Sequence, residues 1–286
     1  FQWRNVFVFV QVSAGKPPYF NLFKEGGGMF KMKKLLLVLT VAFVVSMVGQ
    51  SAHAEGLLDK LNLDIEVSGS IDYYSNYIWR GFTLDKDAVI QPGINISAAG
   101  FTYSFWASFD AESDDELASD EIDHIFDYTR EINDLISVSV GHTYYDFPET
   151  ATYSRELYVG VALSRVPVLD WPIETSLTFF HDYGKEANGG GGGEYLSLDS
   201  SYSHVLFEDP EITMDFATHF GFNNEIFLTG EGFDTGVSFG FTIPLTDNLT
   251  ISPTVNYSAP HGDLEDPADG AQEDRVYAGV SLAYSL

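Results

Sequence analysis

The sequence predicts an all-β protein, a transmembrane antiparallel up-and-down β-barrel of about 12 strands. Three observations predict it. Apolar and polar residues alternate with a period of two nearly throughout, the connections are by turns short and long, and an export-type segment precedes them. The last strand, 276–286, shows the alternation in its simplest form: Val276, Ala278, Val280, Leu282, Tyr284 and Leu286 on one face, Tyr277, Gly279, Ser281, Ala283 and Ser285 on the other. Outer-membrane barrels end on such a strand, so this one is expected to be paired.

The chain of 286 residues starts at Phe1 and has no methionine before Met29. Residues 1–28 are expected to be a leader that is not translated in the cell, because Lys24, Glu25 and Gly26 are encodable as AAG-GAG-G, a ribosome-binding sequence just ahead of Met29. From Met29 follow Lys31, Lys33 and Lys34, an apolar run over 35–48, and Ala52-His53-Ala54, a small-x-small cleavage pattern. That order reads as a secretory signal peptide, 29–54. A run of 14 residues is short of the roughly 20 that a membrane-spanning helix needs. Residues 55–286 are then the mature barrel, placed in the outer membrane of a Gram-negative bacterium.

Of the 14 basic residues, six precede residue 55, with one of the 42 acids, leaving 8 basic against 41 acidic and a mature net charge of −33. Such a charge excludes nucleic acid as a partner, since that binding rests on Lys and Arg neutralising phosphates. It also argues against docking on an anionic membrane surface. Cysteine is absent, which excludes disulfides, zinc-thiolate sites and a cysteine nucleophile.

The strands follow in order. The first sets Leu63, Ile65, Val67, Ile71 and Tyr73 against Asp64, Glu66, Ser68, Ser70 and Asp72; the second sets Ile90, Ile94 and Ile96 against Gln91, Gly93 and Asn95. The third has Phe101, Tyr103, Phe105 and Phe109 against Thr102, Ser104 and Ser108. The fourth, 121–130, fits least well, because His124 and Arg130 share a parity with Ile122, Phe126 and Tyr128. The fifth has Ile136, Val138 and Val140 against Ser137, Ser139 and Gly141, and the sixth Leu157, Val159, Val161 and Leu163 against Glu156, Tyr158, Gly160 and Ser164. The seventh has Ile173, Leu177 and Phe179 against Glu174, Ser176 and Thr178, and the eighth Leu196, Leu198 and Tyr202 against Ser197, Asp199 and Ser201. The ninth places Ile212, Met214, Phe216, Phe220 and Phe222 opposite Thr213, Asp215, Ala217 and His219. The tenth places Val237, Phe239, Phe241 and Ile243 opposite Ser238, Gly240 and Thr242; the eleventh places Leu249, Ile251, Val255 and Tyr257 opposite Thr250, Ser252, Thr254 and Asn256.

Alternate connections, 98–100, 131–134, 165–172, 207–211 and 246–248, are short, while those between them are mostly longer and acidic, with five consecutive glycines inside 184–194. Short turns on one side and long loops on the other characterise a membrane barrel with its turns in the periplasm. A soluble β-sandwich or lipocalin-like barrel has the same period. It would have to bury nearly every Phe, Tyr, Leu, Ile and Val of these strands in one interior, whereas an inside-out barrel presents them to lipid.

On this register Asp64, Glu66, Asp72, Asp110, Asp123, Asp127, Glu156, Glu174, Asp182, Asp199 and Asp215 point inward as pore-lining acids, with Arg80 as the one inward base. Carboxylates without compensating cations favour cation passage. A general acidity of the whole chain, as in a protein from salt water, explains the same bias. Twelve strands allow a narrow pore without guaranteeing one. The loop acids Asp114, Asp115, Glu116, Asp120 and Glu121, and Asp263, Glu265, Asp266 and Asp269, match no calcium-loop spacing and read as solvated loops.

Enzymatic outer-membrane barrels are the rival class, with a His beside a Ser or an Asp-His pair. His142, His181 and His204 lack that arrangement, and Asp215 and His219 are about 13 Å apart along one strand. No catalytic residue, cofactor or metal ligand is assigned.

The stretch Tyr74-Ser75-Asn76-Tyr77-Ile78-Trp79-Arg80-Gly81-Phe82-Thr83-Leu84, with Ile90-Gln91-Pro92-Gly93-Ile94, Gly100-Phe101 and Trp106-Ala107-Ser108, resembles the TorF-type porin family of proteobacterial outer membranes. The resemblance implies a signal peptide followed by a barrel, and a porin; it carries no catalytic residues. The residues themselves read as an outer aromatic girdle of Tyr77, Trp79 and Phe82, with Arg80 free to meet lipopolysaccharide phosphate or an inward acid. Leu286 departs from the usual terminal Phe. The expected function is passive diffusion of small solutes, cation-leaning, with a closed structural or surface-binding barrel and a lipid-modifying enzyme as alternatives. The expected partners are outer-membrane lipid and lipopolysaccharide, the barrel assembly machinery and the solutes.

Overall fold

A computed structural model of the chain describes residues 65–111, 120–166, 171–266 and 271–286. The expected leader, signal peptide and cleavage site lie outside the described residues, as do Asp64, Asp114, Asp115, Glu116 and Asp269.

Twelve strands form the wall: β1 (Ile65–Tyr74), β4 (Val89–Ala98), β5 (Phe101–Asp110), β6 (Glu121–Glu131), β7 (Ile136–Phe147), β8 (Thr152–Leu163), β9 (Glu174–Asp182), β10 (Gly193–Glu208), β11 (Glu211–Asn224), β12 (Glu231–Pro244), β13 (Leu249–Gly262) and β14 (Arg275–Ser285). Each pairs antiparallel with the next, and β14 returns to β1 through Ser68↔Ser285 to Tyr74↔Gly279, closing the barrel. The predicted fold class is borne out, and each of the twelve strands read from the sequence has its counterpart. Two further strands, β2 (Tyr77–Trp79) and β3 (Phe82–Asp85), pair only with each other.

The register fixes which side chains face out. Ile71 lies beside Leu282, Phe216 beside Phe239, and Val140 beside Val159, all on the outer face. Large apolar side chains on that face stay exposed, Phe126 at 55% and Val159 at 54%. Exposure of that kind over a whole barrel is the inverse of a soluble fold and is what hydrocarbon requires. The doubtful strand settles in the same register: His124 of β6 faces out, 2.9 Å from the Tyr103 hydroxyl and beside the Phe105 ring. An outward imidazole is thus held among aromatic rings.

On the inner face small residues make room for large ones. A Cβ on Gly141, Gly279 or Gly221 would collide with the rings of Tyr158, Tyr74 and Tyr195 respectively. Each of these inward tyrosines therefore lies flat across a bare stretch of the adjoining strand, the device by which an aromatic covers a glycine in a sheet.

Candidate functional site

The site begins with what the wall leaves out. β1 pairs with β4 from Ile65↔Ala98 to Tyr74↔Val89, so the chain between them, 75–88, has no place in the barrel sheet. It folds inward as the hairpin β2–β3. Its tip is the two-residue turn Arg80-Gly81, with φ of +46° and +80°. Positive φ at both central positions gives the turn whose twist matches that of a tight hairpin. Gly81 is required twice over: a Cβ there would also lie 2.9 Å from Cβ of Asp234 and 3.0 Å from Cδ1 of Leu264.

The hairpin's aromatic residues are therefore interior. Tyr77, Trp79 and Phe82 are 3%, 2% and 5% exposed, which corrects their reading as a girdle facing lipid. They pack with Val89, Trp106, Phe180, Tyr195, Ile226, Leu228 and Leu264 in an apolar cluster inside the long-loop half of the barrel. Trp79 stacks on Phe82 and meets Phe227 edge-on. A period of two appears in a hairpin plugged into a lumen as readily as in one facing lipid, so the sequence pattern alone does not separate them.

Arg80 is the centre of this plug. Its two terminal nitrogens lie 2.8 and 3.1 Å from the two carboxylate oxygens of Glu156 on β8, a bidentate pair in which both side chains are almost fully buried. Tyr145 donates a third hydrogen bond to Glu156 at 3.0 Å. The guanidinium carbon sits 4.7, 4.4 and 4.1 Å from the ring centres of Trp79, Phe180 and Tyr195. A charge-assisted pair inside an aromatic cage is the strong form of this contact. Of the two roles expected for Arg80, it takes that of meeting an inward acid, and the lipid-phosphate role is excluded. Further anchors are the Tyr77 hydroxyl, which donates to Glu121 at 2.9 Å, and the Thr83 amide, which donates to the Gln272 side chain at 2.8 Å.

Eight of the eleven expected pore acids fall into two groups. Asp72, Asp123, Glu156 and Asp182 are buried in the long-loop half. Asp182 accepts from Ser154 and from the amides of Gly184 and Gly192, so it fastens the glycine loop. Glu66, Asp127, Glu174 and Asp199 line a cavity of about 1170 Å³ that occupies the short-turn half, with Ile78, Arg80 and Gly81 of the hairpin at its inner end. Asp110, at the end of β5, and Asp215, bonded to Thr213 and to Thr242, are half-buried on inward-facing positions. Asp120 and Glu121, read from the sequence as solvated loop acids, are instead buried at 4% and 2% exposure, with Glu121 facing inward on β6; Asp234 also faces inward and was not among the expected residues. Asp234 precedes the segment whose alternation defines its strand, so no periodic signal marks it. Arg80 is not the one inward base, for Arg275 stands on the inward parity opposite Ser258.

His219 faces the cavity between two carboxylates, with Nδ1 2.6 Å from Asp199 and Nε2 2.9 Å from Asp234, the latter nitrogen also 2.8 Å from the Tyr195 hydroxyl. Asp215, the partner considered on the same strand, bonds threonines instead. With both ring nitrogens engaged, the imidazole cross-links β10, β11 and β12 and has no nitrogen left to accept a proton from a nucleophile.

Comparison with known structures agrees with the architecture. A structure titled "KdgM porin" superposes with a TM-score of 0.50 at 10% identity, covering 77% of this chain and 99% of that one. A second, "KdgM porin in complex with disordered oligogalacturonate", gives 0.50 at 11% identity with coverage of 77% and 99%. At these identities the likeness shows the fold. Among curated proteins none matches the sequence. The profile described as "Bacterial protein of unknown function (Gcw_chp)" matches residues 62–252, two-thirds of the sequence and every strand from β1 to β12, and the chain belongs to that family.

Proposed function

We propose that this chain is an outer-membrane, porin-like channel for passive diffusion of small solutes, with its pathway restricted by the β2–β3 hairpin. The observation that carries the reading is a closed inside-out barrel holding a polar cavity of about 1170 Å³ that runs from the short-turn end to the hairpin. The wording of 74–84 and its resemblance to TorF-type porins support it, as does the fold shared with the two KdgM porin structures. The lining carries Glu66, Asp127, Glu131, Asp134 and Glu174, whereas Arg80 is spent on Glu156 and His219 on Asp199 and Asp234. Cation preference follows.

Under this reading 29–54 directs export, 55–286 is the mature barrel, lipopolysaccharide and the assembly machinery are its partners, and it has no catalytic role. The test is planar-bilayer recording of the full chain, exported in a Gram-negative host and purified from its outer membrane. Discrete conductance steps are expected, with a reversal potential on the cation side in a potassium chloride gradient. Anion preference would sink the selectivity. The buried plug itself favours a second reading, a closed barrel, and absence of steps both in the native protein and after replacement of 77–85 by a short Gly-Ser link would establish it.

A further inference from the structure

The outer face of β8 changes character along its length. From the short-turn end it presents Leu163, Val161, Val159 and Leu157, then, toward the long loops, Arg155 and Tyr153. The neighbouring strands change at the same level. On β7, Val138 and Val140 give way to His142 and Tyr144, and on β9, Leu177 and Phe179 give way to His181.

Arg155 stands opposite Tyr144 in the sheet. Its guanidinium carbon lies 5.2 Å from the ring centre of Tyr153 and 5.4 Å from that of Tyr183. The frame is itself braced: the Tyr183 hydroxyl is 2.7 Å from Nε2 of His142, and Tyr153 stacks on Tyr144. Yet Arg155 forms no ion pair among the described residues, and its Nε–H is buried without an acceptor. In a chain with 42 acids and 14 bases that is unusual. Asp146, outward on β7 opposite Tyr153, does not reach it, and Glu194 is taken up by His181.

Position and chemistry choose the occupant. Where an apolar belt passes into tyrosine and histidine, a membrane places its headgroups. A planar guanidinium with unused N–H donors matches the oxygens of a phosphate two at a time. The geometry points to Arg155, framed by Tyr153, Tyr183 and His142, as a binding site for the phosphate of an anionic lipid of the outer leaflet, a phosphorylated saccharide lipid of the lipid A class. This inference rests on reading the barrel as spanning the outer membrane with its long loops outward.

The test uses the full chain, exported, purified and transferred into phosphatidylcholine vesicles alone or with added bisphosphorylated lipid A. The readout is the temperature at which the folded barrel loses its heat-modifiable electrophoretic mobility. The phosphorylated lipid should raise the wild-type midpoint by about 2–4 °C, and dephosphorylated lipid A should not. Arg155→Gln should match wild type in phosphatidylcholine and show none of the rise, while Arg155→Lys should keep part of it. An equal rise in wild type and Arg155→Gln, no rise in wild type, or the same rise with inorganic phosphate alone would overturn the site. Failure of the wild type to insert into any vesicle would overturn the membrane reading itself, a result distinct from all of these.

Discussion

At Arg80 a strained backbone and a buried charge meet in one residue. A φ of +46° is unfavourable for a side chain with a Cβ, and the conformation persists because the Glu156 pair and three aromatic rings hold it. Removing one partner of such a pair leaves the other buried and uncompensated, at a cost of about 3–5 kcal/mol. Arg80→Met is therefore expected to release the hairpin tip, seen as larger bilayer conductance steps together with a lower thermal midpoint in detergent. Arg80→Met with Glu156→Leu removes both charges and should recover most of that midpoint. Gly81→Ala puts a Cβ against Asp234 and Leu264 in a left-handed conformation. It should lose about 1–3 kcal/mol of docking, read by the same pair of measurements, with the polar cavity beneath left in place.

The hairpin is an insert between two strands that already pair with each other, so its replacement at 77–85 leaves the β1–β4 register untouched. That permits a clean accessibility experiment in a protein with no cysteine of its own. Thr143 is inward on β7 directly opposite Glu156 and almost fully buried, whereas Ser238 lines the cavity. Thr143→Cys should react slowly with a water-soluble maleimide in the native protein and quickly once the hairpin is replaced, while Ser238→Cys should react quickly in both. The wall of this molecule was legible because each strand repeats the same two-sided demand, lipid on one face and polar groups on the other. Even β6, blurred by His124, falls in register once its neighbours are in place. The plug was not legible, because Tyr77, Trp79 and Phe82 gain their partners from residues as distant as Phe180, Ile226 and Leu264, and a local pattern carries no record of them.

Taken as a whole, the barrel is divided across its length. The long-loop half is filled by side chains of the hairpin and the loops, and the short-turn half holds the polar cavity. Its charge is divided too: Glu156, Asp182, Asp199 and Asp234 serve as internal fasteners, and Glu66, Asp127 and Glu174 face the cavity. Glu66→Gln with Glu174→Gln should shift the reversal potential toward zero without moving the thermal midpoint, since neither residue anchors the plug. The closure of β14 on β1 has a consequence in time. Every other junction of the wall joins strands close in sequence, adjacent in the chain except for β1 and β4, which only the insert 75–88 separates, and can zip locally, as hairpins do on a scale of microseconds. The seam joins the two ends of the wall, and until it forms both edges expose unpaired backbone where lipid offers nothing to bond with. Closure of that seam is then the slow step of assembly, and the interval before it is when the protein is most exposed to misassociation. A variant lacking residues 284–286, which loses the Gly69↔Tyr284 and Ser68↔Ser285 pairs of the seam and only the end pair Leu249↔Tyr284 of the β13–β14 junction, should fold measurably later than the full chain although the other ten junctions are untouched.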